Sequence, residues 1–326
     1  MFGSRLEPAW KGVLVASSLA FAGCEGETAT RAAGDPAAGR SGPSLPTAGG
    51  YPLSVRLASG KEVEIPSRPR RIAVVGTPLY TEIIVDLGAG ERIVAVTDSP
   101  DNPAEVASVP RLGKPLSWSL ERLVLLQPDV VFGAIGRPAE KLERELGVPV
   151  ITLGKPGGMV SGIDDIFATI RVVGRVIHGD EHEADRLVAR LQGELRDVER
   201  RVEGRPRPGV AFVYVPRQYA PTVSGKETPE DDLLRLAGAR NAFPELRSYE
   251  TIHLEALILR DPEIIVTNAD HVAQVRDDPR LRGLRAVREG HVIGVKSSRI
   301  VSSRLGATLR DLAKQLHPSA FTDGDP

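Results

Sequence analysis

The stretch Leu120-Glu121-Arg122-Leu123-Val124-Leu125-Leu126-Gln127-Pro128-Asp129-Val130-Val131 returns 134 residues later as Leu254-Glu255-Ala256-Leu257-Ile258-Leu259-Arg260-Asp261-Pro262-Glu263-Ile264-Ile265. Leu, Glu, Leu, Leu, Pro, an acid and two β-branched residues keep step. A run with apolar residues at helical spacing, stopped by proline and followed by a β-branched pair, reads as a short helix leading into a buried strand. The chain is therefore built as a repeated half.

The same pattern extends upstream in each half. In the first, residues 72–75 read as a strand, 77–81 as a hydroxyl-rich loop and 82–89 as a helix ending at Leu87-Gly88-Ala89. In the second, the counterparts are residues 210–215, 222–228 and 229–239. Alternating strand and helix signals predict two three-layer α/β lobes with mainly parallel sheets. A hairpin over residues 53–57 and 63–65, turning at Ser59-Gly60, precedes the first lobe. Between the lobes, residues 163–177 and 181–202 are the most helical part of the chain. The second of these carries Leu187, Leu191, Leu195 and Val198 on one stripe, with charge elsewhere. Such a helix is a rod of about 33 Å, a stiff connection rather than a Gly/Ser linker. The lobes are expected at residues 51–160 and 204–326, with a helical backbone linker at 161–203.

The chain has 326 residues, 42 basic against 43 acidic side chains, 41% apolar residues and one cysteine. This length suits two domains with cores of their own. A net charge of −1 supplies no polycation for nucleic acid. A single cysteine rules out a disulfide framework and multi-cysteine zinc sites. Residues 1–23 carry Arg5 and Lys11 ahead of a short apolar run, the pattern of an export signal. Cys24 directly after Ala22-Gly23 resembles a bacterial lipoprotein lipobox, with Phe21 where such boxes usually carry Leu. The resemblance implies acylation at Cys24 and an exported, periplasmic chain anchored to a membrane by lipid. Residues 24–50, rich in Ala, Gly, Pro, Thr and Ser, read as a flexible tether.

Further motifs fall in order along the body. They are Pro69-Arg70-Arg71-Ile72 with Thr81-Glu82-Ile83, Val96-Thr97-Asp98 with Asp101-Asn102-Pro103, and Ser119-Leu120-Glu121 to Pro128-Asp129. Ser224-Gly225-Lys226, Asp232-Leu233-Leu234, Leu236-Ala237-Gly238 with Asn241-Ala242, and Leu254-Glu255 follow. With the repeat and the lipobox, this set resembles the substrate-binding proteins of ABC importers for metal chelates. That family takes up ferric siderophores, haem and cobalamin on two lobes joined by a helical backbone. The resemblance runs from about Pro69 to Pro318. It implies a permease and its ATPase as partners, a small-molecule metal chelate as ligand, a monomeric chain, and neither catalysis nor a cofactor of its own. Glu121 and Glu255, at one repeat position in each lobe, are implied as the acids that dock on the permease; an acid in a first helical turn also suits the helix dipole.

Ligands of open α/β lobes bind beyond the carboxyl ends of the strands. Two facing lobes then make a cleft whose loops carry Tyr80, Trp118, Arg217, Tyr249, His271 and Arg299. Arg217 and Arg299 suit the paired oxygens of carboxylate, catecholate or hydroxamate. Tyr80, Trp118 and Tyr249 suit stacking on a flat chelate, and Tyr80, Tyr249 and His271 are the candidate axial ligands for haem. Cobalamin binders of the family line the cleft with aromatics where this chain has Asn102, Pro115 and Ala134. The cleft therefore favours an oxygen-rich ferric siderophore, with haem and cobalamin as alternatives. An exported, lipid-anchored sensor or scaffold with no transport role is the alternative of another class. Enzyme signatures are missing: Ser224-Gly225-Lys226 ends like a P-loop, but Ala220 replaces its first glycine, and neither G-x-S-x-G nor H-E-x-x-H occurs.

Overall fold

The computed structural model describes residues 50–57, 59–115, 117–152, 160–214 and 220–321; Cys24, Arg217 and Tyr219 fall outside them. An antiparallel hairpin of β1 (Leu53–Arg56) and β2 (Glu62–Ile65) opens the body, with Leu53 opposite Ile65. The first lobe follows as β3 (Ile72–Val74), α1 (Pro78–Asp86), β4 (Ile93–Val96), α2 (Leu120–Leu125), β5 (Val130–Phe132), α3 (Gly136–Leu146) and β6 (Val150–Ile151). Its four strands are all parallel, in the order β4-β3-β5-β6. Every residue of β3 and β5 is buried, as strands covered on both faces require.

The second lobe contains β7 (Gly209–Tyr214), β8 (Thr222–Ser224), α6 (Pro229–Leu236), β9 (Arg240–Asn241), β10 (Tyr249–Thr251), α7 (Leu254–Arg260), β11 (Ile264–Asn268), α8 (Val272–Asp277), α9 (Arg285–Arg288), β12 (Val292–Val295), α10 (Ser297–Ile300) and α11 (Leu305–Leu316). Strands β9, β7, β11 and β12 pair in parallel. The expected hydroxyl-rich loop at 222–228 differs: its first three residues form β8, antiparallel to both β7 and β10. Thr222 and Val223 are β-branched, which fits a pleated strand between two neighbours better than a loop.

Two helices join the lobes. α4 (Ile163–His178) begins against the second lobe, where the Ile163 amide donates to Asp232 of α6 at 3.0 Å. It ends on the first lobe: the Ile177 carbonyl accepts from Arg92 at 2.9 Å, and His178 bonds the Leu87 carbonyl at 3.0 Å. Gly179, left-handed at φ 89°, turns the chain, and α5 (His182–Val202) runs back. Arg171 pairs with Asp185 at 2.8 Å, and Gly174 leaves no room for a side chain beside Ala184, so α4 and α5 lie antiparallel and close. At 1.5 Å per residue α5 is about 31 Å long, and it returns to the second lobe against α6 and α11.

The cores follow this plan. One cluster runs from the hairpin through the inner side of the first sheet, along α4 and α5, to Val210, Phe212, Leu305 and Leu309 of the second lobe. Two smaller clusters back the outer sides: Ala73, Ala95, Leu123 and Val131 in the first lobe, and Ala211, Leu257, Ile265 and Val292 in the second. The continuous apolar body across the junction opposes separation of the lobes.

Candidate functional site

The repeat is preserved down to backbone detail. α1 and α6 each start from a threonine cap with proline next, Thr77-Pro78 and Thr228-Pro229, in which the threonine hydroxyl accepts a backbone amide. Gly88 and Gly238, at φ 73° and 77°, end these helices. After α2 and α7, Gln127 and Asp261 both take the left-handed conformation, at φ 44° and 40°. The next acids do equivalent work: Asp129 accepts the Arg70 amide at 2.7 Å, and Glu263 accepts the Gly209 amide at 2.8 Å. Each fastens the strand that follows it to the start of the lobe's first strand.

At the carboxyl ends of the first lobe's strands, Thr97 accepts the Gly76 amide at 3.1 Å and donates to the Gly76 carbonyl at 3.2 Å. Gly133, at φ 87°, sits so close that a Cβ would stand 1.9 Å from the Val75 carbonyl oxygen. Asn102 donates to the Thr97 carbonyl at 2.8 Å, so its amide braces the loop. Tyr80 is 5% exposed and packs its ring 6.0 Å from that of Phe132. Trp118 is half-buried against the outer cluster of the first lobe. Ile135, 49% exposed where β5 ends, is an apolar rim residue that a search for charged and aromatic side chains passes over.

In the second lobe, Tyr214 and Tyr249 both donate to the buried carboxylate of Glu230, each at 2.7 Å. Burial, reinforced by that carboxylate, pushes both phenols far above their ordinary range. Tyr249 is thus committed to a second-lobe network. Residue Glu230 went unnoticed in the sequence because it looks like an ordinary first-turn acid. His271 stands in the single turn after β11, its Nδ1 buried without a hydrogen-bond partner among the described residues.

The segment from Lys296 to Arg304 carries the second lobe onto the first. Lys296 lies 3.6 Å from Asp101, and Arg299 lies 3.5 Å from Glu82 of α1. Ser302 also donates to Glu82, while Ser303 and Arg304 bond Asp86 at 2.7 and 2.8 Å. Glu82 is buried, and desolvation pushes its carboxyl up despite Ser302, Arg299 and Arg304, which all favour the ionised form. The structure thus brings Arg299 to the junction but leaves Tyr80 and Trp118 in packing positions on the first lobe.

Glu121 and Glu255 are both exposed. The Glu121 carboxylate accepts from Ser119 at 3.1 Å; its own backbone amide and that hydroxyl hold it below the usual carboxylate range. Among the described residues no three His, Cys, Asp or Glu side chains gather as a metal cage. No helix among them is long and apolar enough to cross a membrane.

A family model described as periplasmic binding protein matches residues 73–298. The chain belongs to this family, and it is a substrate-binding component of the kind that serves an ABC transporter. It is 24% identical over 324 residues to the uncharacterized ABC transporter substrate-binding lipoprotein YvrC of Bacillus subtilis, covering 96% of this chain and 98% of that one. It is 26% identical over 197 residues to the vitamin B12-binding protein of Vibrio parahaemolyticus, covering 59% and 68%. A periplasmic heme binding protein from Pseudomonas aeruginosa superposes with a TM-score of 0.68 at 25% identity, covering 78% of this chain and 94% of that one.

Proposed function

We propose that the chain captures a metal chelate between its two lobes, most readily a ferric siderophore, and delivers it to an ABC permease and its ATPase from a lipid anchor at Cys24. Support comes first from the use already made of the phenols. Haem iron needs an axial donor, but Tyr80 is buried against Phe132 and Tyr249 gives its hydroxyl to Glu230. The cations at the junction are Arg299, partly exposed and paired with Glu82, and Lys296, paired with Asp101. Guanidinium and ammonium groups suit an anionic, oxygen-rich chelate. Arg217, outside the described residues, is a further candidate for the same task.

A corrinoid is the second reading, favoured by the similarity to the vitamin B12-binding protein of Vibrio parahaemolyticus. Haem is the third, with His271 as the axial candidate. Glu121 and Glu255 supply the permease contact. The test pairs two readouts on one variant. Replacing both, Glu121→Ala with Glu255→Ala, is expected to abolish chelate uptake by cells while calorimetric affinity for the chelate stays within about twofold of wild type. Uptake that survives the double substitution contradicts the docking assignment.

A further inference from the structure

Six large apolar side chains are exposed among the described residues, and four of them form two repeat-equivalent pairs. Val124 and Leu125 are 39% and 81% exposed, and Ile258 and Leu259, 134 positions on, are 43% and 89% exposed. Single exposed leucines are ordinary on protein surfaces. Matching pairs at the same turn of two equivalent helices are a pattern.

Helix geometry groups these pairs with the acids. α2 and α7 each bury one side chain only, Leu123 and Leu257, again repeat partners. Positions i, i+3 and i+4 share one face of a helix. Glu121, Val124 and Leu125 therefore stand together on the outward face of α2, opposite Leu123. Glu255, Ile258 and Leu259 do the same on α7, opposite Leu257. On the second lobe this face adjoins a hollow of about 480 Å³ lined by Phe243, Leu246, Ile252 and Leu259 itself.

We infer that the two faces, Glu121 with Val124 and Leu125, and Glu255 with Ile258 and Leu259, are twin contact surfaces for one two-fold permease whose equivalent halves each present a cation beside an apolar cup. The inference rests on the transport reading above and adds the apolar half of the contact. An acid ringed by exposed leucine and isoleucine fits a partner that is cationic at the rim and apolar within. Two copies of such a face, generated by the internal repeat, fit a partner that is itself duplicated. Burial of the leucines supplies affinity that an exposed ion pair alone lacks.

The experiment measures binding of the full chain to the permease–ATPase complexes of its own bacterium in nanodiscs, by surface plasmon resonance. Leu125→Ser with Leu259→Ser is expected to weaken binding by about tenfold or more. Leu146→Ser, an exposed leucine on α3 outside both triads, is expected to stay within about twofold. The double variant should melt with wild type, since both side chains lie on the surface. Leucine variants that bind as wild type while Glu121→Ala with Glu255→Ala fails would overturn the inference and leave the transport reading standing. A wild-type chain that binds none of the complexes overturns both. Equal binding to empty nanodiscs, or leucine-dependent self-association in the ultracentrifuge, would assign the faces to lipid or to a second copy and overturn it as well.

Discussion

Asp129 and Glu263 each follow a proline, and each returns a carboxylate to the backbone amide that opens its lobe's first strand. Their own amides complete the clasp: Asp129 donates to the Arg71 carbonyl and Glu263 to the Gly209 carbonyl, both at 2.9 Å. This explains why an acid recurs in both halves of the sequence without any role in binding. Replacing either by alanine leaves strand amides to solvent and is expected to cost about 0.5–1.5 kcal/mol, the net contribution typical of a hydrogen bond whose freed amide is rehydrated. Urea unfolding of Asp129→Ala and Glu263→Ala checks it; midpoints equal to wild type would contradict the clasp. The acids of the motif were legible as a repeat, but their structural purpose was not. Only the fold shows that Arg70 and Gly209 lie opposite them. For the same reason Tyr249 looked available in the sequence, since Glu230 lies 19 positions away from it.

Among the elements, those with strong local signals matched expectation. The hairpin, the start of α6 directly after Thr228, the glycine stops and the two helices between the lobes all rest on nearby residues. By contrast, α1 starts at Pro78, inside the stretch 77–81 expected as a loop, because Thr77 caps it and Pro78 suits its first turn. β8 and β10 were not legible because three-residue strands carry almost no periodicity. Equally hidden was the path of α4, whose amino end is capped by Asp232, 69 positions on. The contact of α1 with the segment from Arg299 to Arg304 carries a pH dependence. Burial holds the folded Glu82 carboxyl above its unfolded value, so the folded chain keeps that proton to higher pH. Stability from this group is full below the ordinary carboxylate value of about 4.3 and is lost as pH rises through the folded value. Glu82→Gln removes the dependence. Its melting temperature relative to wild type is expected to climb between about pH 4 and pH 7, as the buried charge forms only in wild type. A constant difference across that range would contradict the desolvated state of Glu82.

At the scale of the whole molecule, three features oppose large lobe movement: the shared core, the antiparallel helix pair, and the bonds from Ser302, Ser303 and Arg304 to Glu82 and Asp86. Small-angle scattering is expected to show the radius of gyration changing by less than about 1 Å on ligand saturation, since hinged closure needs joining segments that absorb large φ/ψ changes. A shift of several ångström would contradict the rigid junction. Amide exchange in residues 296–304 should likewise be slow in the free chain. The central claim, that this rigid two-lobed body holds a chelate, is tested most directly by native mass spectrometry. The panel contains ferric hydroxamate, catecholate and citrate complexes, haemin, a corrinoid, and free zinc and manganese. One tight adduct of a single ferric chelate per chain is the predicted result. Adducts with bare metal ions alone, or with nothing in the panel, would contradict it.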